Sequence, residues 1–382
     1  MKIAMISEWR EPIYGWGQVH VKYLCEWLIN NHWCIIDLFV RSLKDESWKI
    51  YNQNESLLDG KRKIFRTWTV SSFFSIPYRI LWLIQITRIL YWKTKKEKYD
   101  IIHGHALLPW IPIKIVSLLT WTPCIYTVHG TMHLDKWIKG LFYWIELYLI
   151  TKIRYSAQIS FWSKILSYQN TNTNIHITYW WVEVEDFDKQ NLITRNWVQF
   201  LIVARIDWQK NHEQLIEAIN IVDRNFLLKK WFHLNIVGDG PLKDKILQKI
   251  KIHNLESYIT YKWKLFGWDK IKEYKSNQVF ILPSLAEWQP LTILEAMASK
   301  LMLLVSDVGD NKVFVSQKTW IIIPPNNTIL LKNAIIRILE LTPKQISESW
   351  KLSYQKVQDY SWWNLCTHTY EIFQSTLRSS LK

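Results

Sequence analysis

Two glutamates stand eight residues apart in the segment PSLAEWQPLTILEAMA, Pro283–Ala298. Glu287 falls in the turn that follows an apolar strand ending at Leu282, and Glu295 falls in the second turn of the next helix. Pro290 is expected at the first helical position, where its missing amide removes no hydrogen bond. The backbone amides behind it, at Leu291 and Thr292, open a helix start suited to an anion such as a diphosphate. A carboxylate accepts more than one hydroxyl donor. One glutamate can therefore hold a sugar while the other holds a ribose. An ordinary exposed pair of glutamates meets the same spacing.

The elements around this segment alternate. Lys2–Ser7 is a compact apolar run, and helical periodicity follows over Val19–Ile29. Cys34–Val40, Asp100–His103, Cys124–His129 and Ala157–Phe161 predict further strands, with apolar helical stretches between them. The pattern then restarts. Val198–Ala204 predicts a strand and His212–Val222 a helix. The strands Phe232–Val237, Tyr258–Lys262, Val279–Leu282, Met302–Ser306 and Trp320–Ile323 continue the second series. Gln345–Leu381 predicts one or two helices and no strand. Strands alternating with helices imply parallel sheets covered on both faces. Two such sheets in tandem predict a cleft between the carboxyl ends of their strands, where ligands bind. The polar stretch Val182–Trp197 has little periodicity and is expected to be the linker.

The composition narrows the chemistry. The chain has 382 residues and a net charge of +15, which suits an anionic ligand or surface. Its basic residues are scattered, apart from a run at Lys93–Lys98, so nucleic acid is not expected as a partner. Cys25, Cys34, Cys124 and Cys366 form no CxxC pair, and buried reduced thiols are the simplest account of them. Asp186–Asp188 forms a DxD, but it lies in the expected linker and reads as a chance match. No metal site is expected. No leader pattern precedes the first strand, which points to the cytoplasm. Phe73–Trp92 is apolar but interrupted by Arg79, Gln85 and Arg88, so it predicts an amphipathic helix, buried or lying on a membrane.

Glycine is 10 residues and tryptophan 25, both far from ordinary usage. Many tryptophans stand where a turn should be, although a turn often requires the positive φ that glycine adopts without steric cost. A genetic code that reads UGA as glycine, translated by a table that reads it as tryptophan, produces this pattern. A chain that is truly rich in tryptophan is the other reading.

The segment around Glu287 and Glu295 resembles the E-x7-E motif of glycosyltransferase family 4, whose members are retaining enzymes of the GT-B fold. In that family a glycine follows the first glutamate, and here Trp288 stands in its place. The resemblance covers nearly the whole chain. Asn235–Pro241, NIVGDGP, is similar to the family's strand-to-helix turn and places Gly238 there. Val203–Asn211, VARIDWQKN, is similar to the segment that offers an arginine and a lysine to the donor diphosphate, here Arg205 and Lys210. Two cations there would neutralise a departing nucleotide. Tyr14–Val21, YGWGQVHV, is similar to the glycine-rich loop that approaches diphosphate and acceptor, with Gly15 and Gly17 matching and Trp16 on an expected glycine. Thr127–Gly130, TVHG, resembles the segment whose histidine meets the donor sugar, which makes His129 the candidate. A buried structural histidine is the plainer reading. His20 is expected to pack, and His103 and His105 are given no role. Trp33, Trp181 and Trp320 also fall on expected glycines.

The resemblance therefore implies an α/β protein of the GT-B fold: two Rossmann-like doubly wound parallel-sheet domains facing across a cleft, with C-terminal helices. The expected division is an acceptor-side domain over 1–185, a nucleotide-sugar domain over 186–358, and a helix over 359–382 packing back on the first. The implied activity is transfer of a hexose-type sugar from a UDP- or GDP-sugar to a hydroxyl of a glycan, lipid-linked or small-molecule acceptor. The implied roles are Glu287 on the sugar, Glu295 on the ribose, and Arg205, Lys210 and the helix start at Pro290 on the diphosphate. No cofactor and no essential metal are implied. The apolar helix and lysines of Phe73–Lys98 suit a lipid-linked or polysaccharide acceptor and peripheral association with an anionic membrane at its inner face. Two rivals stay open: a GT-B sugar-nucleotide epimerase, and a non-catalytic scaffold whose Trp16 and Trp288 fill the diphosphate loops.

Overall fold

The computed structural model describes residues 1–7, 16–41, 43–44, 50–51, 54–67, 76–105, 108–129, 147–148, 150–161, 163–168, 170–190, 197–287, 289–314 and 321–380. The chain divides into two units: Met1–Thr178 together with Cys366–Lys382, and Tyr179–Leu365. The sequence had placed these divisions at 185/186 and 358/359.

The first unit contains β1 (Lys2–Ser7), α1 (Trp16–His32), β2 (Ile35–Val40), β3 (Leu43–Lys44), β4 (Ile50–Tyr51), β5 (Glu55–Leu57), β6 (Arg62–Arg66), α2 (Ile76–Glu97), β7 (Ile101–His105), α3 (Trp110–Thr120), β8 (Cys124–Val128), β9 (Ala157–Ser160) and β10 (Ile175–Ile177). Eight strands form one sheet in the order β10-β9-β8-β7-β1-β2-β6-β5. All its pairs are parallel except β5 with β6. The central strands bury both faces, which is why they read as unbroken apolar runs. Ala4, Ile6, Ile102 and Tyr126 pack on one side against Trp82, Ile86 and Leu90 of α2 and against Ile113 and Val116 of α3.

The second unit contains α4 (Val184–Asp188), β11 (Gln199–Val203), α5 (His212–Asn220), α6 (Arg224–Lys229), β12 (His233–Val237), α7 (Lys243–Ile252), β13 (Ile259–Lys262), α8 (Gly267–Lys275), β14 (Val279–Leu282), α9 (Leu291–Ala298), β15 (Met302–Ser306), α10 (Asn311–Phe314), β16 (Ile321–Ile323), α11 (Thr328–Glu340) and α12 (Pro343–Val357). Its six strands run parallel in the order β13-β12-β11-β14-β15-β16. That is a doubly wound order, and it reverses between β11 and β14. Ligands of such sheets bind beyond the carboxyl ends of the strands at the reversal. The first sheet reverses in the same way between β1 and β7. The final helix, α13 (Trp362–Ser380), starts in the second unit and continues into the first.

Two expectations need correction. The stretch read as a linker holds α4 and lies inside the second unit. Its polarity comes from carboxylates that are paired: Asp186 with Lys189 at 2.5 Å, and Asp188 with Lys300 at 3.5 Å and with the Tyr354 hydroxyl. Residues two apart on a helix do not face each other, so this DxD does not gather its carboxylates. Pro290 is the residue before α9 and not its first. Its ψ of 114° is extended, so the helix begins at Leu291.

Three tryptophans occupy the left-handed region. Trp33 (φ 54°) follows α1, Trp121 (φ 60°) ends α3, and Trp231 (φ 51°) follows α6. Helices commonly end on a left-handed residue, usually glycine and sometimes asparagine. Asn211, Asn254 and Asn326 adopt the same conformation, as do Lys98 and Lys300. The three indoles are 73–90% exposed, so no burial compensates the backbone cost. Gly15, Trp288 and Trp320 lie outside the described residues. Trp181, by contrast, is buried and packs on Trp362 at 4.5 Å between ring centres.

Candidate functional site

In the second unit, the loops after β11 and β14 leave the sheet at its reversal, and their side chains meet. Lys210 Nζ lies 2.6 Å from Glu287 Oε1. The Ser284 hydroxyl donates to the same oxygen at 2.6 Å. Two further bonds tie the loops together: Leu285 N donates to Gln209 O at 2.8 Å, and Gln209 Nε2 donates to Ala286 O at 2.8 Å. Asp207 shapes the first loop, its carboxylate accepting from the amides of Gln209 and Lys210 at 3.1 and 3.2 Å. Arg205 is different. It stands at the end of β11 with its side chain 70% exposed and only a loose approach to Asp207, at 3.7 Å.

Glu287 and Glu295 are both buried, which removes the reading of an ordinary exposed pair. Glu295 is held by α8: Lys270 Nζ lies 2.5 Å from Oε1, and the Tyr274 hydroxyl donates to Oε2 at 2.9 Å. Burial and the Glu295 carboxylate push the Tyr274 hydroxyl well above its usual range, so it stays protonated and able to donate. The α9 start has no side-chain cap. Just before it, Gln289 accepts from Trp180 N at 3.0 Å and donates to Asp310 at 3.2 Å. These bonds hold the approach to Leu291 and Thr292 in place. Ser284, Gln289, Lys270 and Tyr274 were not singled out from sequence. Lys270 and Tyr274 are four apart on one helix face, the only advance signal for that pair.

Gly238 sits in the turn after β12 at φ 151°, and a Cβ there would come within 2.0 Å of Ala204 O. Gly240 is equally tight, 2.3 Å from Ile206 O. These glycines let the turns after β11 and β12 lie backbone against backbone, joined by Ile206 N to Asp239 O at 2.9 Å. A hollow of about 280 Å³ beside them is lined by Asp207, His212, Glu213 and apolar side chains including Ile206 and Leu285. It offers an anion no lysine or arginine.

In the first unit, histidines gather at the sheet reversal. Gly17 lies in α1, which also carries His20; β7 carries His103 and His105, and His129 follows β8. His105 Nδ1 and His129 Nε2 are 3.1 Å apart, and His103 Nε2 lies 2.7 Å from Thr127 Oγ1. His20 packs edge-on against His129, His105 and Phe161, and His129 stacks on Phe161. Burial lowers every one of these pKa values: His103 to about 3, His129 to about 4, and His20 and His105 well below the usual value. The rings are therefore neutral at pH 7, each with one nitrogen that can donate and one that can accept. Among the described residues, His20, His105 and His129 are also the one group whose geometry could hold a metal ion, with ligand nitrogens all within 4.8 Å of one another.

Two doubly wound parallel sheets, with charged or imidazole groups at their reversals, define a GT-B α/β protein. Solved structures share the fold over nearly the full chain. Sucrose-phosphate synthase from Thermosynechococcus elongatus superposes with a TM-score of 0.73 at 17% identity, covering 99% of each chain. Anabaena HepE in complex with UDP superposes with a TM-score of 0.71 at 14% identity, covering 98% of this chain and 100% of that one. Residues 183–351 match the family described as Glycosyl transferases group 1. The Escherichia coli UDP-Gal:alpha-D-GlcNAc-diphosphoundecaprenol alpha-1,3-galactosyltransferase is 29% identical over 74% of this chain and 76% of its own. An uncharacterized glycosyltransferase of Methanocaldococcus jannaschii is 23% identical over 98% of both chains. The chain is a glycosyltransferase whose residues 183–351 match the group 1 family, and it is similar to family 4 enzymes.

Proposed function

We propose that this glycosyltransferase moves a hexose-type sugar from a UDP- or GDP-sugar to the hydroxyl of a lipid-linked or glycan acceptor, with retention at the anomeric carbon. The observation that carries the reading is the Lys210–Glu287 pair at the reversal of the second sheet, beside an uncapped helix start. Lys210, Arg205 and the amides of Leu291 and Thr292 receive the diphosphate and stabilise it as it departs. Glu287 orients a sugar hydroxyl. Glu295 keeps acceptor capacity beyond its bonds to Lys270 and Tyr274, since a carboxylate offers about four lone-pair sites, and it takes the ribose. His129 offers a neutral imidazole to a sugar hydroxyl. Gly17, expected in a glycine-rich loop, instead lies in the first turn of α1, where its missing side chain allows close approach of a ligand to the helix start. No covalent nucleophile is invoked; the acceptor attacks from the face the nucleotide leaves.

The cations and helix start supply the charge stabilisation a divalent metal gives elsewhere, so chelation is expected to leave the rate unchanged. Three named proteins support the donor and acceptor classes: HepE, solved with UDP; a trehalose-6-phosphate protein of Escherichia coli, solved with UDP-2-fluoro glucose; and the galactosyltransferase whose name carries a diphosphoundecaprenol substrate. The test is a transfer assay with UDP- and GDP-hexoses and a polyprenyl-diphosphate sugar, with NMR of the product anomer. Inverted product, or epimerisation of the donor sugar without acceptor, overturns the reading. The latter outcome would assign an epimerase.

A further inference from the structure

The outer surface of the first unit carries a second feature, away from the sheet reversal. Ile80, Leu81 and Ile84 of α2 and Ile115, Leu118 and Leu119 of α3 are between 42% and 62% exposed. Single exposed aliphatic residues are ordinary; six on two helices packed side by side are not. Topology places them together. The connections β6–α2–β7 and β7–α3–β8 step through the sheet in the same direction. Right-handed crossovers therefore put both helices on one face of it. Trp82, Ile86 and Leu90 turn inward, as do Ile113 and Val116. The aliphatic residues between them turn outward on both helices.

Positive charge continues the same surface. Ile80, Ile84 and Arg88 are four apart along one line of α2, and Lys95, Lys96 and Lys98 follow, all exposed. The feature does not depend on the exposed tryptophans of these helices. No described helix is long and apolar enough to cross a membrane.

We infer that the outward faces of α2 and α3 form a docking surface for an anionic lipid bilayer, with the aliphatic side chains entering the headgroup boundary and the lysines holding lipid phosphates. Charge complementarity selects this occupant. Two copies of the chain meeting through this face would set lysine against lysine, whereas an anionic bilayer meets them with opposite charge. The inference rests on the lipid-linked acceptor of the proposed function for its purpose alone.

The experiment uses the full chain with vesicles of phosphatidylcholine, with and without phosphatidylglycerol, in a sedimentation assay at low and high salt. Binding is expected only to the anionic vesicles and to weaken with salt. The double variants Ile84→Ser/Leu118→Ser and Lys95→Glu/Lys96→Glu are each expected to weaken it roughly tenfold or more. Circular dichroism melts establish that the variants fold; Lys95 and Lys96 are exposed, so their variant serves if the other unfolds. Wild type that ignores anionic vesicles, or folded variants that bind like wild type, overturns the inference. So does a dimer in solution that Ile84→Ser dissolves, which would assign the face to a second copy. Vesicle binding without any sugar transfer leaves the surface standing and removes the proposed function instead.

Discussion

Lys210 and Glu287 meet at 2.6 Å although 77 residues separate them in the chain. They meet because β11 and β14 are neighbours where the sheet order reverses. Lys210→Met leaves the Glu287 carboxylate buried without its cation. The expected cost is about 3–5 kcal/mol of stability, with transfer rate down about a hundredfold or more through loss of charge stabilisation. Glu287→Gln keeps the shape and is expected to cost less stability while still abolishing most transfer. Denaturant unfolding and donor-saturation kinetics check both; equal rates in wild type and Lys210→Met would remove Lys210 from the diphosphate.

Arg205 supplies the contrasting case. It is exposed and loosely held, so Arg205→Ala is expected to change stability by no more than about 0.5 kcal/mol. Donor affinity, read by calorimetry with UDP and GDP, is expected to fall about tenfold or more through loss of a charge-assisted contact. Unchanged affinity would make Arg205 a surface cation.

The histidine cluster sets a pH dependence whose sign follows from burial. Folded pKa values of about 4 for His129 and about 3 for His103 lie below the unfolded value. Above roughly pH 6.5 both states are neutral and stability is full. As pH falls below that, the unfolded chain binds protons that the folded chain refuses. Stability then drops by about 1.4 kcal/mol per pH unit for each histidine, until its folded pKa is reached. Urea midpoints between pH 7 and pH 5 should show this loss, and a His103→Asn/His129→Asn variant should make it shallower, His20 and His105 supplying the rest. Equal slopes in variant and wild type would contradict the account.

Gly238→Ala is expected to destabilise by about 3 kcal/mol, since its Cβ would strike Ala204 O at a positive φ. The loss should appear as a lowered melting temperature. An unchanged one would mean that the two turns can separate at little cost.

Trp33, Trp121 and Trp231 each hold a left-handed backbone with an exposed indole. Replacing each with glycine is expected to gain roughly 1 kcal/mol. Peptide masses of the protein made in its own cell are expected to read glycine there and at position 288. Tryptophan at all four positions would retire the recoding reading and leave the turn strain real.

Much of the fold was legible because parallel strands buried on both faces leave apolar runs such as Cys124–Val128 and Met302–Ser306. β6 was not, because its sequence, RKIFR, hides a strand behind charge. Arg62 and Arg66 are buried there and pair with Glu26 and Glu55, which no local pattern announces. Glu287 and Glu295 were singled out by their spacing and Arg205, Lys210 and His129 by the family resemblance, whereas Ser284 and Gln289 carried no signal. The pairing of Lys210 with Glu287 was not legible, since it arises through strand order. The fastening of Glu295 by Lys270 and Tyr274 likewise depends on where α8 lies against α9.

The return of the chain to its starting unit bears on how the protein is made. Tyr370 stacks on His32 with ring centres 3.6 Å apart, and buried Phe373 packs against His103. The unit formed by Met1–Thr178 is thus completed by Cys366–Lys382, with the whole of the second unit between them in the chain. Met1–Thr178 therefore lacks part of its packing until the chain has passed through the whole of Tyr179–Leu365 and reached the final helix. A premature stop or a clip within the final helix therefore harms the amino-terminal half, whose histidine cluster loses the aromatic ring that backs it.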